Sequence, residues 1–249
     1  MDTISRSHIA TIEVMARLFD DAARKDRIRL LKKMLDQSHI RPMTVHALFG
    51  SAYDISVRDE RSRRQALAAM DTSIDLAIQL DAPIVVVHAS AEPIAPDERQ
   101  QRLEGAQAAL AEIGQRCREL GKRIAVELLP RTCLGNTVEE LFELLDPLDS
   151  GTFGVCLDTN HLMDRYRDLA HTVRQLGDRL FTLHLSDYDG IDEKHELPGK
   201  GVLDWKSFMQ ALRDIDYSGP FNYECQIEGE TIAERLQSLE ENYDWLSRL

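Results

Sequence analysis

Six short apolar runs in this chain each end on a side chain that can bind a metal ion: Thr44-Val45-His46, Ile84-Val85-Val86-Val87-His88, Ile124-Ala125-Val126-Glu127, Val155-Cys156-Leu157-Asp158, Leu180-Phe181-Thr182-Leu183-His184 and Phe221-Asn222-Tyr223-Glu224. A strand buried on both faces reads as a near-continuous apolar run. In a βα barrel the chemistry sits where such strands end, on the C-terminal face. The terminal residues are 42, 39, 31, 26 and 40 positions apart, which leaves room for a helix between most pairs. One His, Asp or Glu at the same point of six strands would converge on a single pocket.

The intervening segments support alternation of strand and helix. Residues 24–37 carry Ile28, Leu31 and Leu35 on one helical face, and residues 59–80 carry Leu67, Met70, Ile74, Ala77 and Ile78. Such spacing predicts amphipathic helices. Pro96-Asp97-Glu98 predicts the start of a helix that stops at Gly121, with Arg116 and Arg118 near its end. Thr137-Val138-Glu139-Glu140 has the form of a capping box. Asp204 is placed to cap a helix over residues 205–214, and residues 231–249 read as a closing amphipathic helix. Alternating elements of this kind imply a parallel sheet with right-handed crossovers. With no Gly/Ser-rich or Pro-rich linker, residues 1–249 are expected to form a single barrel domain. Residues 7–15 predict one further strand, which brings the count to seven rather than the eight of a (β/α)8 TIM barrel. The first βα unit is therefore expected to be lacking or atypical. An open edge would then need cover, which leaves a homo-oligomer or another partner chain open.

Composition narrows the partners. The formal net charge is −13 with no block of Lys or Arg, which argues against nucleic acid, where phosphate contacts supply most of the affinity. No apolar stretch approaches 18 residues, so no membrane span is expected. The four cysteines form no CxxC pair, and the first residues show no basic patch followed by an apolar core. Reduced thiols and a cytoplasmic location are the expectation.

The ordered motifs resemble those of the sugar phosphate isomerase/epimerase family, the xylose-isomerase-like barrels. The matching pieces are Val85-Val86-Val87-His88, Ala125-Val126-Glu127-Leu128-Leu129-Pro130-Arg131, Val155-Cys156-Leu157-Asp158-Thr159-Asn160-His161, Leu183-His184-Leu185-Ser186-Asp187-Tyr188-Asp189, His195-Glu196-Leu197-Pro198-Gly199-Lys200-Gly201-Val202-Leu203-Asp204-Trp205 and Tyr223-Glu224. In that family a strand and helix normally precede the region matching residues 8–14, in agreement with the strand count. The resemblance implies one divalent ion held by Glu127, Asp158, His184 and Glu224. Three carboxylates and one imidazole suit Mn²⁺, Mg²⁺, Co²⁺ or Zn²⁺.

The resemblance further implies isomerisation or epimerisation of a small sugar, sugar phosphate or polyol-like substrate. Glu127 and Glu224 would remove and return a carbon-bound proton through a metal-stabilised enediolate. His46, His88, His161 and His195 are candidate substrate contacts, although each also reads as a core or surface histidine. Lys200 joins them because the Pro198-Gly199-Lys200-Gly201 turn can bring backbone N–H groups to an anion. A dehydratase on the same metal site is a close variant. A zinc phosphoesterase of the apurinic-site endonuclease type is the alternative: His46, His88 and Glu127 would hold one ion, the four-residue set another, and His161 with His195 a third. Its pattern of Asp-x-His is replaced here by Glu193-Lys194-His195. A third reading is a subunit that acts only with a partner. Glu13 is expected to form a structural ion pair. Asp187 reads equally as a support for His184 or as a turn cap, and Arg131 as an anion contact or a helix cap. Cys156, Cys225 and Trp205 are expected to pack in the core.

Overall fold

The computed structural model describes residues 7, 9–19 and 22–249. Seven parallel strands run in chain order around one sheet: β1 (Thr11–Met15), β2 (Arg41–His46), β3 (Ile84–Val87), β4 (Arg123–Glu127), β5 (Phe153–Asp158), β6 (Leu180–Leu185) and β7 (Phe221–Tyr223). Seven helices alternate with them among the described residues: α1 (Arg24–Ser38), α2 (Glu60–Leu80), α3 (Arg99–Glu119), α4 (Val138–Leu145), α5 (Leu169–Leu176), α6 (Trp205–Asp214) and α7 (Ile232–Ser247). This is a nearly closed TIM barrel. β1 and β7 lie side by side without ladder bonds, and a cleft of about 740 Å³ runs along the seam between them and α7.

Strand periodicity decides what faces the interior. Successive side chains of a strand point to opposite faces. Val45, Val85, Val87, Ile124, Val126, Val155, Leu157, Leu183 and Leu185 pack outward, in one core with the helices. The alternate residues Ile84, Val86, Ala125 and Cys156, with Phe181, form a separate cluster inside the barrel. Beside them the Asn222 amide donates to Thr44 Oγ1 at 3.2 Å and to Thr182 Oγ1 at 3.1 Å, which ties β7 to both β2 and β6 through the interior. Two residues further along each inward row come His46, His88, Glu127, Asp158, His184 and Glu224. The strand parity that fills the barrel thus delivers these side chains to its C-terminal mouth.

Local chemistry sets the helix ends. Asp59, Thr137, Asp204 and Thr231 each accept from the backbone N–H three residues on. The reciprocal capping box forms at Thr231 and Glu234, not at Thr137. Glu140 instead takes two bonds of 2.6 Å from Arg99 and one of 2.7 Å from the Gly135 N–H, so it has no reach back to its own N-cap. Strand β1 begins at Thr11, later than the expected residue 7, and His8 lies outside the described residues. No helix is predicted from the sequence over the residues of α5. It is eight residues long and follows a 3-10 segment over Met163–Asp168 without a side-chain cap.

Gly154 leaves room inside β5. A Cβ there would lie 2.5 Å from the Phe181 ring and 2.6 Å from the Arg179 carbonyl oxygen, at the point where the β5–β6 register shifts. Gly154→Ala is expected to destabilise the protein by about 1–3 kcal/mol through overpacking, measured as a lower urea midpoint with an unchanged slope. An unchanged midpoint would show that β6 gives way freely.

Candidate metal centre

Glu127 ends β4 and is 1% exposed. Its Oε2 lies 3.2 Å from His46 Nε2 and 3.0 Å from His88 Nε2. Its Oε1 lies 3.3 Å from His184 Nδ1 and 3.4 Å from His161 Nδ1. Four imidazoles therefore surround one buried carboxylate. Burial alone would raise its pKa, but the imidazoles of His184 and His88 outweigh burial and hold it well below the usual carboxylate range. His46 is raised, because its bond to Glu127 outweighs burial, whereas for His88 burial wins and the pKa is lowered.

A second carboxylate lies across the barrel mouth. Asp158 ends β5, fully buried, and its Oδ1 accepts the Asn160 N–H at 2.7 Å. Burial and the neighbouring Glu224 and Glu127 push Asp158 up to about 6, against the pull of His161. His161 donates from Nδ1 to the Leu128 carbonyl at 2.9 Å, and its Nε2 stands 3.5 Å from Asp158 Oδ2. Although burial disfavours its charge, Asp158 and Glu193 raise His161 to about 10. Glu224 follows β7, and its Oε2 is 2.7 Å from His184 Nδ1. The other nitrogen of His184, Nε2, faces Glu13 of β1 at 3.0 Å. His184 is fully buried, and its pKa is raised well above that of a free imidazole despite burial, since Cys156, Glu13 and Glu127 surround it.

The donor set fits a divalent cation. Glu127, Asp158, His184 and Glu224 each offer one ligand atom, and those atoms lie within 4.8 Å of one another. Asp158 Oδ2 and Glu224 Oε2 are buried carboxylate oxygens that accept no well-aligned hydrogen bond, each facing only an imidazole nitrogen, His161 Nε2 at 3.5 Å and His184 Nδ1 at 2.7 Å. Buried polar atoms are normally satisfied, and exceptions in a native fold call for an explanation such as an ion. Two overlapping groups, His46–Glu127–His184 and Asp158–His161–His195, meet the same distance criterion.

The remaining expected residues divide. His195 reaches the mouth from the loop after β6, with Nδ1 3.0 Å from the Glu224 carbonyl and 3.1 Å from Ser186 Oγ. Lys200 is exposed, its backbone N–H closing a turn on the Leu197 carbonyl at 3.0 Å. The turn does bind an anion, but that anion is the chain's own Asp187. Its carboxylate accepts from the N–H groups of Tyr188 at 3.0 Å, Gly199 at 2.7 Å and Leu203 at 3.1 Å, and from Trp205 Nε1 at 2.8 Å. Asp187 therefore organises its own loop rather than orienting His184. Gly201 is required there, since a Cβ would come within 2.6 Å of Asp187 Oδ1.

Two further residues, Glu193 and Phe49, carried little sequence signal. Glu193 Oε1 stands 3.4 Å from His161 Nε2 and 3.5 Å from His195 Nε2, and Oε2 takes a 2.7 Å bond from Arg131. Arg131 also bonds Asp192 at 2.9 Å and Glu92 at 3.4 Å, so its carboxylate partners belong to the protein itself. Phe49 packs against the rings of His46 and His88, with centroids 4.9 and 4.6 Å away. An acidic loop and a lone aromatic after a strand are too common to single these residues out.

The chain belongs to the xylose isomerase-like TIM barrel family, whose model matches residues 3–249. It is 33% identical over 131 residues to a D-psicose 3-epimerase from Enterocloster bolteae, an alignment spanning 51% of this chain and 42% of that enzyme. The crystal structure of a D-tagatose 3-epimerase-like protein superposes with a TM-score of 0.81 at 24% identity, covering 99% of this chain and 97% of that one. A crystal structure described as IOLI protein with a bound zinc atom gives a TM-score of 0.78 at 18% identity, covering 99% and 91%. No described helix is long and apolar enough to cross a membrane.

Asp187→Asn is expected to lower stability by at least about 2 kcal/mol, since one of the N–H donors would then face an amide NH₂. The measurement is a denaturant melt followed by tryptophan fluorescence. Wild-type stability in the variant would show that the loop does not depend on this carboxylate.

Proposed function

We propose that this chain is a divalent-metal-dependent isomerase or epimerase of a small sugar or polyol-like substrate. The observation that carries the reading is the convergence of Glu127, Asp158, His184 and Glu224, with Asp158 Oδ2 and Glu224 Oε2 buried and lacking a well-aligned hydrogen bond. A bound divalent ion supplies Lewis acidity that makes the proton next to a substrate carbonyl easier to remove. Glu127 and Glu224 reach the mouth from non-adjacent strands, β4 and β7. Both carboxyls are lowered: burial opposes this, but the His184 imidazole beside each outweighs it, so both rest in the proton-accepting form. In this reading one carboxylate takes the carbon-bound proton, while the other first gains a proton from a substrate hydroxyl or solvent and delivers it to carbon. The first then gives its proton back to that hydroxyl or to solvent, so the centre is inverted or relocated with no net proton change. His88, His161 and His195 hold hydroxyls, and the apolar edge of Phe49 limits water on one side. The family relationship and the epimerases among its relatives support a sugar substrate.

The test is NMR of the Mn²⁺-loaded protein, with D-psicose and D-tagatose incubated in D₂O and the metal removed before spectra are taken. Deuterium is expected at the carbon beside the carbonyl, with Glu127→Gln and Glu224→Gln each at least about 100-fold slower. Exchange at the wild-type rate in both variants would overturn the assignment of these two residues.

The groups His46–Glu127–His184 and Asp158–His161–His195 favour a second reading, a multi-zinc phosphoesterase. Elemental analysis separates the two. One ion per chain is expected for the isomerase, whereas two or three zinc ions with cleavage of abasic DNA would reverse the choice. The net charge of −13 opposes a DNA substrate.

A further inference from the structure

We infer that Glu13 is a positioning residue that fixes His184 as an Nδ1 ligand by accepting the proton on its Nε2. The inference rests on the metal reading above. A neutral imidazole has one lone pair to give a cation and one N–H that needs an acceptor. In His184 the nitrogen that faces the carboxylates of the ligand group is Nδ1, 2.7 Å from Glu224 Oε2 and 3.3 Å from Glu127 Oε1. Nε2 points the other way, and both oxygens of Glu13 lie beside it, at 3.0 and 3.2 Å. The Cys156 thiol also neighbours His184, but a thiol is a weak acceptor beside a carboxylate. With an ion displacing the proton on the Nδ1 side, the pairing with Glu13 would keep the remaining proton on Nε2 and leave the Nδ1 lone pair to the ion.

The backbone is built to present this carboxylate. The β1–β2 ladder shifts register between Ile12 and Glu13: Ile12 pairs with Pro42 and Glu13 with Thr44, so Met43 is the extra residue of a bulge. Bulges next to functional sites re-aim side chains. Pro42, which has no N–H to give the ladder, sits at the break. The shift sets Glu13 opposite Thr44, the inward residue below His46, and so directs it into the barrel. The stacked ring of His46, 5.6 Å away at 20°, limits rotation of His184. Without Glu13 the Nε2–H would be buried and less well paired. The other tautomer would gain, with Nδ1–H donating to the very carboxylates that bind the ion. Carboxylate partners of ligating histidines typically contribute 10- to 100-fold in metal affinity.

The test is Mn²⁺ titration of wild type, Glu13→Gln and Glu13→Ala, with the folded state of each metal-free variant checked by circular dichroism. Glu13→Ala is expected to weaken Mn²⁺ binding about 10- to 100-fold. Glu13→Gln, whose amide oxygen still accepts the Nε2 proton, is expected to recover most of it. In the Zn²⁺-loaded wild type, ¹⁵N NMR is expected to show His184 protonated on Nε2. Equal affinity in all three proteins, or a proton on Nδ1, would overturn this inference and leave the metal site standing. A wild type that binds no divalent ion would overturn the metal reading along with it.

Discussion

The structure depends on placing one buried carboxylate among four imidazoles. An isolated carboxylate at the position of Glu127 would be several kcal/mol too costly to bury ionised. His46, His88, His161 and His184, which come from four different parts of the barrel rim, make that charge tolerable, and Glu127 in turn keeps them oriented. Three of those histidines are held by a further polar contact. His46 and His161 donate to the carbonyls of Ala47 and Leu128, and His184 faces Glu13. The centre is a network in which removing one member leaves others unpaired, so its geometry is set before any ligand arrives. Such preorganisation is what a metal site or a proton-transfer site requires.

Around this centre the loops of the C-terminal face are tied by ion pairs rather than by apolar packing alone. Arg99 spans the loop and first turn around α4, Arg102 binds Asp54, and Arg131 joins the loops after β3, β4 and β6 through Glu92, Asp192 and Glu193. Arg102 and Asp54 are largely buried, so that pair resists screening, whereas the Arg131 contacts are partly exposed and individually weak. Arg131 thus acts by geometry, holding Glu193 against His161 and His195.

Much of this was legible in the residues, and for a physical reason. Parallel strands buried on both faces leave an apolar signature that names itself, and the polar residue at the end of each run stood out against it. The inward row could be read because strand period is fixed at two. The reading faltered where tertiary contacts decide. The capping-box pattern at Thr137 gave way to the Arg99–Glu140 pair, which no local pattern encodes. Helix α5 is too short, and too poorly capped, to rise above its surroundings. Asp187 could not be assigned between two partners until the fold of its loop was known, and the turn that seemed shaped for a ligand anion proved to serve Asp187. Glu13 was read as an ion-pairing residue, which it is; that its partner is a candidate metal ligand follows only from the closure of β1 toward β6.

The central claim is that Glu127, Asp158, His184 and Glu224 jointly hold one divalent ion. Crystals grown with Mn²⁺ and measured at the manganese absorption edge test it most directly. The account predicts one anomalous peak bound by these four side chains, with His184 engaged through Nδ1. An absent peak at millimolar Mn²⁺, or a peak bound elsewhere on the barrel, would contradict it.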